Sequence, residues 1–432
     1  YGNRCMKNKS NNIKFDDDKW LQNFAITIFD EIAELTNDKQ GVSRESYGKG
    51  ETDAINYLSK LAFEFDLHVE IDNAANVFFS LKPIVNSKYI LVGSHMDSVP
   101  LGGNFDGLAG VLAGFLTLLY LSKNKINLKL PLKVVALRGE ESAWYGRNYI
   151  GSKSILGLIT KEDLNSTHRK TGDILSKAMQ NCGVDLDKIK SSSLMIDKEN
   201  IELFIELHIE QGPILVDRKW PAAIVTGIRG NNRHRNIICK GAAGHSGTIP
   251  RYLRKDAVFS GADLITRMDD HWNTIQQHGG DLVLTSGIFQ TDSDHHAMSR
   301  IPGEIIFSFE SRSQDIATLD ALEALLRSEC KTIERERGVK FELDDLIRSS
   351  PAELDESIIE KLLDAAESLG LERASLPSGA GHDAAVFANA GIRTGMIFIR
   401  NEKGSHNPDE AMDIKDFMVG LSILKKFIID YK

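Results

Sequence analysis

The segment KYILVGSHMDSVPLGGNFDGLAGVLAGFLTLLYL, residues 88–121, contains a short apolar run, a polar loop and a long apolar run. The first run is typical of a buried strand, and the second has the length and apolar content of a buried helix. His95, Asp97 and Asp106 lie in the glycine-rich loop between them. A strand that leads into a helix is the unit of α/β folds, whose sites lie beyond the carboxyl ends of strands. The segment therefore predicts an α/β domain with a functional site in this loop.

Apolar periodicity predicts further elements on both sides of this segment. Steps of three and four residues predict helices, and short apolar or alternating runs between turn residues predict strands. Strands that alternate with helices in this way indicate a mixed sheet flanked by helices. The predicted elements are helices at about 17–36, 52–65 and 107–122, strands at 67–71, 76–81, 88–93, 132–137, 201–208 and 394–400, a helix ending near 369 and a closing helix from 413.

From about Gly227 the pattern restarts as strand, helix, strand, strand, helix, strand. This is the ferredoxin-like α+β order. The candidate site residues lie mostly outside it, so we expect residues 1–226 and 349–432 to form a discontinuous catalytic domain. Residues 227–348 would then be an inserted lid or dimerisation domain. Its predicted strands are 236–240, 281–290, 304–311 and 339–347, and its predicted helices are 254–272 and 318–337.

Composition and charge exclude several classes of protein. The chain has 432 residues, of which 42% are hydrophobic and 26% charged, so it is neither disordered nor fibrous and is long enough for two or three domains. Its net charge of −9 argues against a nucleic acid or an anionic membrane surface as a partner. The apolar stretch 108–121 falls short of the roughly 20 residues needed to cross a bilayer.

Cysteine usage bears on the compartment. Cys5, Cys182, Cys239 and Cys330 lie far apart and form no C-x-x-C pair. This spacing predicts neither a disulfide framework nor a zinc knuckle, and it indicates a reducing, cytoplasmic location. The N-terminus shows no signal-peptide pattern, and we expect Met6 to be the native start.

Four predicted strands are followed closely by a residue that can bind a metal. These residues are His95, Glu141, His208 and His406, and Asp106 is a fifth candidate in the glycine-rich loop. A lone histidine after a strand is usually an ordinary core or loop residue, but five candidates at one sheet edge indicate a site. Histidine and carboxylate ligands without thiolate suit Zn²⁺, Mn²⁺ or Co²⁺. Five ligands exceed one tetrahedral shell, so we expect two divalent ions bridged by one carboxylate.

The adjacent glutamates Glu140 and Glu141 follow the apolar run LKVVAL. Most adjacent carboxylates are solvated, but two like charges beside a buried sheet repel each other unless a cation lies between them. One glutamate can then bind the cation while the other handles a proton. Metal-assisted hydrolysis requires this division of labour.

Six segments carry a resemblance over most of the chain. They are GSHMDSVPLGGNFDGLAGVLAG (93–114), RGEESAWYGRNYIGSKSILG (138–157), ELHIEQGPIL (206–215), GAAGHSGTIPRYLRKDA (241–257), SGAGHDAAVFANAG (378–391) and GSHNPDEAM (404–412). In this order they resemble the M20 family of dinuclear zinc amidohydrolases, within it the hydantoinase/carbamoylase branch. That branch contains N-carbamoyl-L-amino acid hydrolases, allantoate amidohydrolases and β-ureidopropionases.

The resemblance implies a role for each metal candidate. His95 and His208 would bind one metal and Glu141 and His406 the other, with Asp106 as the bridge. Two residues beyond His95, Asp97 would fix the tautomer of the His95 imidazole.

The resemblance also implies the catalytic and substrate-binding residues. Glu140 would be the general base, and His245 would stabilise the developing oxyanion, often from the partner subunit. Gln211 and His382 match further pocket positions, and Arg312 matches the arginine that grips the substrate carboxylate through two parallel hydrogen bonds. Relatives dimerise through the lid, so we expect a homodimer.

The chain departs from the family pattern near the lid strand. Where many relatives have Asn-Val-Ile-Pro-Gly, it has Ser299-Arg300-Ile301-Pro302-Gly303, which replaces a substrate-contacting asparagine by Ser299 and adds a positive charge. Two aromatic residues, Trp144 and Tyr145, either line the pocket or pack the following helix. His295 and His296 are either pocket residues or, as we favour, a solvated loop.

These features favour an amidohydrolase that cleaves the ureido C–N bond of an N-carbamoyl-L-amino acid or a related ureido acid such as allantoate. An aminoacylase or dipeptidase on the same scaffold would share the metal ligands, but the extended HIEQGP and GHDA segments favour the carbamoylase branch. A non-catalytic binding protein is disfavoured because Glu140 and all five ligand positions are present.

Overall fold

A computed structural model describes residues 19–190 and 196–432 of the chain. The chain divides into two compact units. The expectations for the N-terminus, including Met6 as the start, lie outside the described residues. The first unit comprises Tyr1–Thr226, Leu354–Leu376 and His382–Lys432, as far as these are described, and the second comprises Gly227–Glu353 and Pro377–Gly381.

Strands and helices alternate along most of the described chain. The strands are β1 (His68–Ile71), β2 (Val77–Ser80), β3 (Tyr89–His95), β4 (Leu132–Leu137), β5 (Ile201–Ile209), β6 (Ala222–Ile228), β7 (Gly230–Lys240), β8 (Gly244–His245), β9 (Val283–Thr285), β10 (Phe289–Thr291), β11 (Arg300–Ile301), β12 (Glu304–Ser313), β13 (Lys340–Leu343), β14 (Ile347–Ser349), β15 (Ala352–Glu353), β16 (Ser375–Ser378) and β17 (Thr394–Ile399). The helices are α1 (Lys19–Leu35), α2 (Lys49–Glu64), α3 (Leu108–Lys123), α4 (Ser142–Tyr145), α5 (Ile150–Ile155), α6 (Lys161–Leu164), α7 (Leu175–Asn181), α8 (Leu186–Lys190), α9 (Ile214–Arg218), α10 (Ala257–Gln277), α11 (Ile316–Arg337), α12 (Glu356–Ser368), α13 (Asp383–Asn389) and α14 (Ile414–Asp430).

The first unit is built on a mixed sheet with the strand order β1-β2-β4-β3-β5-β17-β6. The central strands β4, β3, β5 and β17 are parallel, and antiparallel strands flank them. Every residue of β3, β4 and β17 is buried, as expected for parallel strands covered on both faces. The loops after the four parallel strands therefore lie at one edge. The predicted mixed sheet flanked by helices is confirmed.

Helix α3 packs closely on this sheet and positions the loop before it. Gly110 allows the close approach, because a Cβ there would lie 2.0 Å from the Leu207 carbonyl oxygen. Gly107 has a φ of +68°, and a Cβ there would lie 2.5 Å from the ring of His95. These glycines let Asp106 lie beside His95. Within residues 19–190 and 196–432, no helix has the length and apolar content to cross a membrane.

The second unit contains an antiparallel sheet packed against α10 and α11. Its main strand order is β10-β12-β7-β13, with β9 paired to β12 and β14 paired to β7. This is the ferredoxin-like arrangement. Apolar residues of both helices and of the sheet share one core, which includes Ile237, Leu264, Phe307 and Leu326.

One strand predicted for the second unit is divided in the structure. The prediction placed a single strand at 281–290, whereas β9 and β10 are separate. The amide of Ile288, between them, donates to the Ser308 hydroxyl at 3.1 Å instead of to a ladder carbonyl. This side-chain contact accounts for the interruption.

Two other boundaries differ: the start of β7 contains a buried polar residue that resembles a loop residue, and β13 and β14 are separated where the Asp344 carboxylate accepts the amides of Arg235 and Asn236. β7 begins at Gly230 instead of near 236, and the predicted strand 339–347 is divided into β13 and β14. His234 on β7 is buried, and its ring nitrogens lie 2.9 Å from Asp344 and 3.2 Å from Glu323. Paired in this way, a polar side chain can occupy a strand interior.

Residues 142–190 form short helices around a separate apolar cluster. Trp144 and Tyr145 are buried in it, and Trp144 stacks on His168 with ring centroids 5.7 Å apart. Trp144 also donates to the Ser98 carbonyl oxygen at 2.7 Å. The structure therefore supports the packing interpretation of these two aromatic residues.

Candidate metal centre

The five predicted ligands converge at the carboxyl edge of the mixed sheet. His95 ends β3, His208 lies near the end of β5, Glu141 follows β4, His406 follows β17 and Asp106 precedes α3. Their side chains form two groups that share Asp106, and the ligand atoms within each group lie within 4.8 Å of one another.

The first group contains His95, His208 and one oxygen of Asp106. Nε2 of His208 lies 3.0 Å from Asp106 Oδ1, and Nε2 of His95 lies 3.5 Å from the same oxygen. The Nδ1 atoms contact backbone carbonyl oxygens instead, that of Asp97 at 3.0 Å and that of Ile209 at 2.8 Å. Because Nδ1 donates in each ring, both Nε2 atoms offer a lone pair to a cation.

The second group contains Glu141, His406 and the other oxygen of Asp106. Nε2 of His406 lies 3.2 Å from Glu141 Oε1 and 3.3 Å from Asp106 Oδ2. The hydrogen bonds with Asp106 and then Glu141 raise the pKa of His406 to about 11. A cation that binds here would displace the imidazole proton, as metal binding to histidine generally does.

Burial and charge both fit a pair of divalent cations. Oδ1 of Asp106 is buried, and no residue of the described chain donates a hydrogen bond to it. An excess of buried negative charge is costly unless cations offset it, and a nitrogen and oxygen donor set suits Zn²⁺, Mn²⁺ or Co²⁺. Arg44 is a buried cation beside these carboxylates. The buried carboxylates around the centre are Asp97, Asp106, Glu140, Glu141, Glu206, Asp383 and Glu410.

Asp97 anchors the loop that carries the two glutamates. Its carboxylate oxygens accept the backbone amides of Glu140 and Glu141, each at 3.0 Å, and the Ser46 hydroxyl at 2.6 Å. Its Oδ1 also lies 3.4 Å from His95 Nδ1. Asp97 therefore lies close to the His95 imidazole, as expected. Its hydrogen bonds with Ser46 and with the amides of Glu140 and Glu141 were not predicted from the sequence.

Glu140 is positioned by its backbone, while no hydrogen bond to its carboxylate is recorded among the described residues. The residue is 9% exposed. Burial raises the pKa of its carboxyl well above the ordinary value, against the opposing attraction of His95. A buried glutamate beside a cation site is suited to accepting and returning a proton.

Two buried residues that the sequence analysis missed hold the Asp106 loop. Glu410 accepts the backbone amide of Phe105 at 2.8 Å and that of Asp106 at 3.2 Å. Arg44 donates to the carbonyl oxygens of Met96 at 2.7 Å and Asp106 at 3.3 Å. Glu410 lies in the GSHNPDEAM segment, which could have suggested it, whereas no motif contains Arg44.

Gln211 and His382 both lie beside the ligand groups. Gln211 donates to Asp106 Oδ2 at 2.8 Å, and its Nε2 lies 3.3 Å from His406 Nε2. The ring of His382 contacts that of His208 edge to face, with centroids 4.5 Å apart. Burial, and then the neighbouring His208 imidazole, lowers the pKa of His382 well below the ordinary value.

The remaining predicted site residues, His245, Ser299 and Arg312, belong to the second unit. β8 and β11 form a ribbon in which His245 is opposite Arg300, the residue after Ser299. Glu304 is the first residue of β12, and Arg312 lies next to its last residue. At about 3.3 Å per residue, Glu304 and Arg312 are about 26 Å apart along this strand. His245 is therefore at the Glu304 end of β12, and Arg312 is toward the opposite end of this strand.

Arg312 has protein partners in this structure. It donates to the Gly379 carbonyl oxygen at 2.7 Å and lies 3.1 Å from Glu310 Oε1. The pairing with Glu310 is the contact expected of a structural arginine, so the carboxylate-binding role remains a prediction. Gly379 precedes His382 by three residues in the SGAGHDA segment.

His295 and His296 lie in an exposed loop, as favoured from the sequence. His295 Nδ1 lies 2.6 Å from Asp292 Oδ2, and His296 Nε2 lies 2.6 Å from the Thr291 hydroxyl. The loop borders an open cavity of about 720 Å³ that Arg300 also lines.

A comparison with models of known protein families identifies the family of this chain. Residues 91–430 match the model of peptidase family M20/M25/M40. The chain belongs to this family. The five ligand positions, which include the shared Asp106, and Glu140 all fall within the matched residues.

Individual M20 relatives resemble the chain over most of its length. An N-carbamoyl-L-amino acid amidohydrolase of Geobacillus stearothermophilus is 31% identical over 387 residues, covering 89% of this chain and 92% of the relative. The allantoate amidohydrolase of Escherichia coli is 30% identical over 363 residues, covering 83% and 85%. A hydantoinase/carbamoylase family amidase from Burkholderia ambifaria, a solved structure, has a TM-score of 0.83 at 26% identity, covering 94% and 95%.

Replacing Arg44 by lysine should weaken metal binding. Lysine keeps the charge but cannot reach the carbonyl oxygens that the guanidinium spans, so the Asp106 loop loses its position. We expect metal affinity to fall about 10- to 100-fold, the range for lost outer contacts of a metal site. Calorimetric titration with Zn²⁺ measures the change. The exposed Arg373→Lys is the control, and an affinity equal to that control would contradict the assigned role.

Proposed function

We propose that this M20 protein is a dinuclear metal-dependent amidohydrolase that cleaves the ureido C–N bond of an N-carbamoyl-L-amino acid or a related ureido acid such as allantoate. The observation that carries the proposal is the pair of ligand groups sharing Asp106, with Glu140 beside them. The named relatives act on ureido substrates and resemble the chain over most of its length. They favour this activity over an aminoacylase or a dipeptidase.

Glu140 would move the proton in this reaction. Two divalent cations, which we propose to be Zn²⁺ with Mn²⁺ or Co²⁺ as alternatives, would polarise the ureido carbonyl and lower the pKa of water at the centre. Glu140 would accept a proton from the attacking water, whose oxygen bonds to the ureido carbon, and would return that proton to the leaving nitrogen. The C–N bond breaks to release the amine and carbamate, which decomposes to CO₂ and ammonia. Asp97 keeps Glu140 in place through the backbone amide.

The second unit would supply the groups that bind the organic part of the substrate. Arg312 can exchange its contacts with Glu310 and Gly379 for a substrate carboxylate, which matches its planar fork. His245 can donate to the carbonyl oxygen as charge develops there, and Ser299 lies beside it in the ribbon. Gln211 and His382 would line the pocket at the metal end.

The distance between His245 and Arg312 supports a site built by two subunits. His245 lies in the β8–β11 ribbon at the Glu304 end of β12, and Arg312 lies about 26 Å from Glu304 along that strand. We therefore do not expect one small substrate to contact both residues of a single chain. We therefore propose a homodimer through the second unit, acting as a lid and dimerisation domain, in which His245 serves the site of its partner. Such a lid would also protect exposed strand edges.

A reducing, cytoplasmic location is consistent with the cysteines. Cys239 and Cys330 are buried in the same core and are free, and Cys182 is free as well. We therefore propose a reducing, cytoplasmic location for the protein.

A substrate panel tests the proposed activity. The metal-loaded enzyme should hydrolyse N-carbamoyl-L-amino acids, allantoate or ureidopropionate with a higher kcat/KM than N-acyl amino acids or dipeptides. Ammonia release measures ureido cleavage, and amine release measures both classes. A preference for acyl or peptide substrates would contradict the proposal.

Replacing Glu140 by glutamine should separate catalysis from metal binding. The amide cannot accept the proton, so kcat should fall about 10²- to 10⁴-fold. Metal content should stay at the parent level because the five ligands remain. Steady-state kinetics and elemental analysis of the same preparation give both values. A variant with near-normal kcat would move the general base elsewhere.

Replacing Arg312 by lysine should weaken recognition of the substrate acid. Loss of the fork should cost about 1.5 to 3 kcal/mol, or about 10- to 100-fold, mainly in KM, because the contact exists in the ground state. Kinetics with a carbamoyl amino acid and its amide measure the effect, and Arg300→Lys is the matched variant. If Arg312→Lys still discriminates acid from amide like the parent, Arg312 is not the anchor.

Mixing two inactive variants tests whether His245 acts in its partner's site. His245→Ala and Glu140→Gln are each expected to be inactive. Hybrid dimers would contain one site with both native residues, so part of the activity should return. Labelled subunits show whether exchange has occurred. Proven exchange without recovery would place His245 in the site of its own chain.

A further inference from the structure

Glu206 is a fully buried carboxylate that neither the predicted ligand set nor the proposed reaction uses. Both of its oxygens accept hydrogen bonds, one from the Ser94 hydroxyl at 2.6 Å and one from the Ala384 amide at 2.7 Å. Its exposure is 0%. Within residues 19–190 and 196–432, no lysine or arginine is recorded as its partner.

The position of Glu206 and its two hydrogen bonds join three segments next to the first ligand group. Glu206 lies on β5, two residues before His208, and Ser94 directly precedes His95 on β3. Ala384 lies two residues after His382. The Glu206 carboxylate therefore connects the segments that carry all three imidazoles, those of His95, His208 and His382.

Glu206 also places a negative charge close to these imidazoles. Ligand atoms of Glu206, His208 and His382 lie within 4.8 Å of one another. Each oxygen of Glu206 already accepts one hydrogen bond, and the negative charge of the carboxylate favours a cation bound by His208. Outer carboxylates of this kind orient metal-binding histidines and increase their basicity.

We propose that Glu206 is a positioning residue that raises the affinity of the His95–His208–Asp106 group for its cation. It acts through its negative charge close to His208 and through the hydrogen bond that it accepts from the Ser94 hydroxyl. The group made by Asp106, Glu141 and His406 does not include these contacts, so Glu206 affects the two cations unequally. This inference rests on the proposed two-cation centre.

Two substitutions separate charge from shape. In Glu206→Gln the amide oxygen can accept from Ala384 and the amide nitrogen can donate to the Ser94 oxygen, so the contacts remain while the charge is lost. Ser94→Ala keeps the charge and removes one contact. Glu202→Gln is a matched control, since Glu202 lies on the same strand and pairs with Lys88 and Arg393 at the surface.

The experiment is calorimetric titration of chelator-treated full-length protein with Zn²⁺ in two backgrounds. His406→Ala leaves the first group intact, and His208→Ala leaves the second. Adding Glu206→Gln should weaken binding about 10- to 100-fold in the His406→Ala background and by less than about threefold in the His208→Ala background. Glu202→Gln should change neither affinity. This readout requires no catalytic activity.

Several results would overturn the inference. An affinity unchanged by Glu206→Gln in the His406→Ala background shows that the charge has no role. Equal weakening in both backgrounds shows a general structural effect. Should Glu206→Gln not fold, Ser94→Ala decides: it should weaken the first group about threefold or more, and no change overturns the proposal. If the parent itself fails to bind two ions, the proposed function fails instead.

Discussion

The two oxygens of Asp106 are the constraint on which the rest of the site depends. Each faces a different ligand group, and Oδ1 is buried with no hydrogen-bond donor among residues 19–190 and 196–432. A carboxylate in this position is stable only beside cations. Arg44 and Glu410 fix its backbone, Gln211 donates to its second oxygen, and Gly107 lets its loop lie against His95.

The two units contribute different kinds of residue. Groups that hold cations or move protons lie on loops at the edge of the mixed sheet, where the parallel strands give them a rigid base. Of the groups proposed to recognise the substrate, Gln211 and His382 belong to the first unit, and His245, Ser299 and Arg312 belong to the second. His245 lies in the β8–β11 ribbon at the Glu304 end of β12, and Arg312 lies near the other end of that strand. This placement leads to the proposal that two copies of the chain complete each site.

The sequence allowed the fold class and the five candidate ligands to be predicted because both depend on local patterns, whereas the division of the ligands into two groups was implied by the family resemblance. Buried parallel strands have continuous apolar runs, and His95 and His208 lie at strand ends. Arg44 could not be predicted, since no motif contains it and its partners are far away in the sequence. Glu410 and Glu206 lie in recognised segments, but their contacts with Phe105 and Ala384 join residues far apart in the sequence and are visible only in the fold. The start of β7 was missed for a related reason. His234 looks like a loop residue until Glu323 and Asp344 are seen beside it.

Anomalous X-ray diffraction from crystals of the metal-loaded protein tests the central claim most directly. Data collected on both sides of the metal absorption edge locate each bound ion and identify its element. The account predicts two peaks per chain, about 3.5 to 4 Å apart, one beside each oxygen of Asp106. A single peak in fully loaded crystals, or peaks away from Asp106, would contradict the shared-carboxylate centre.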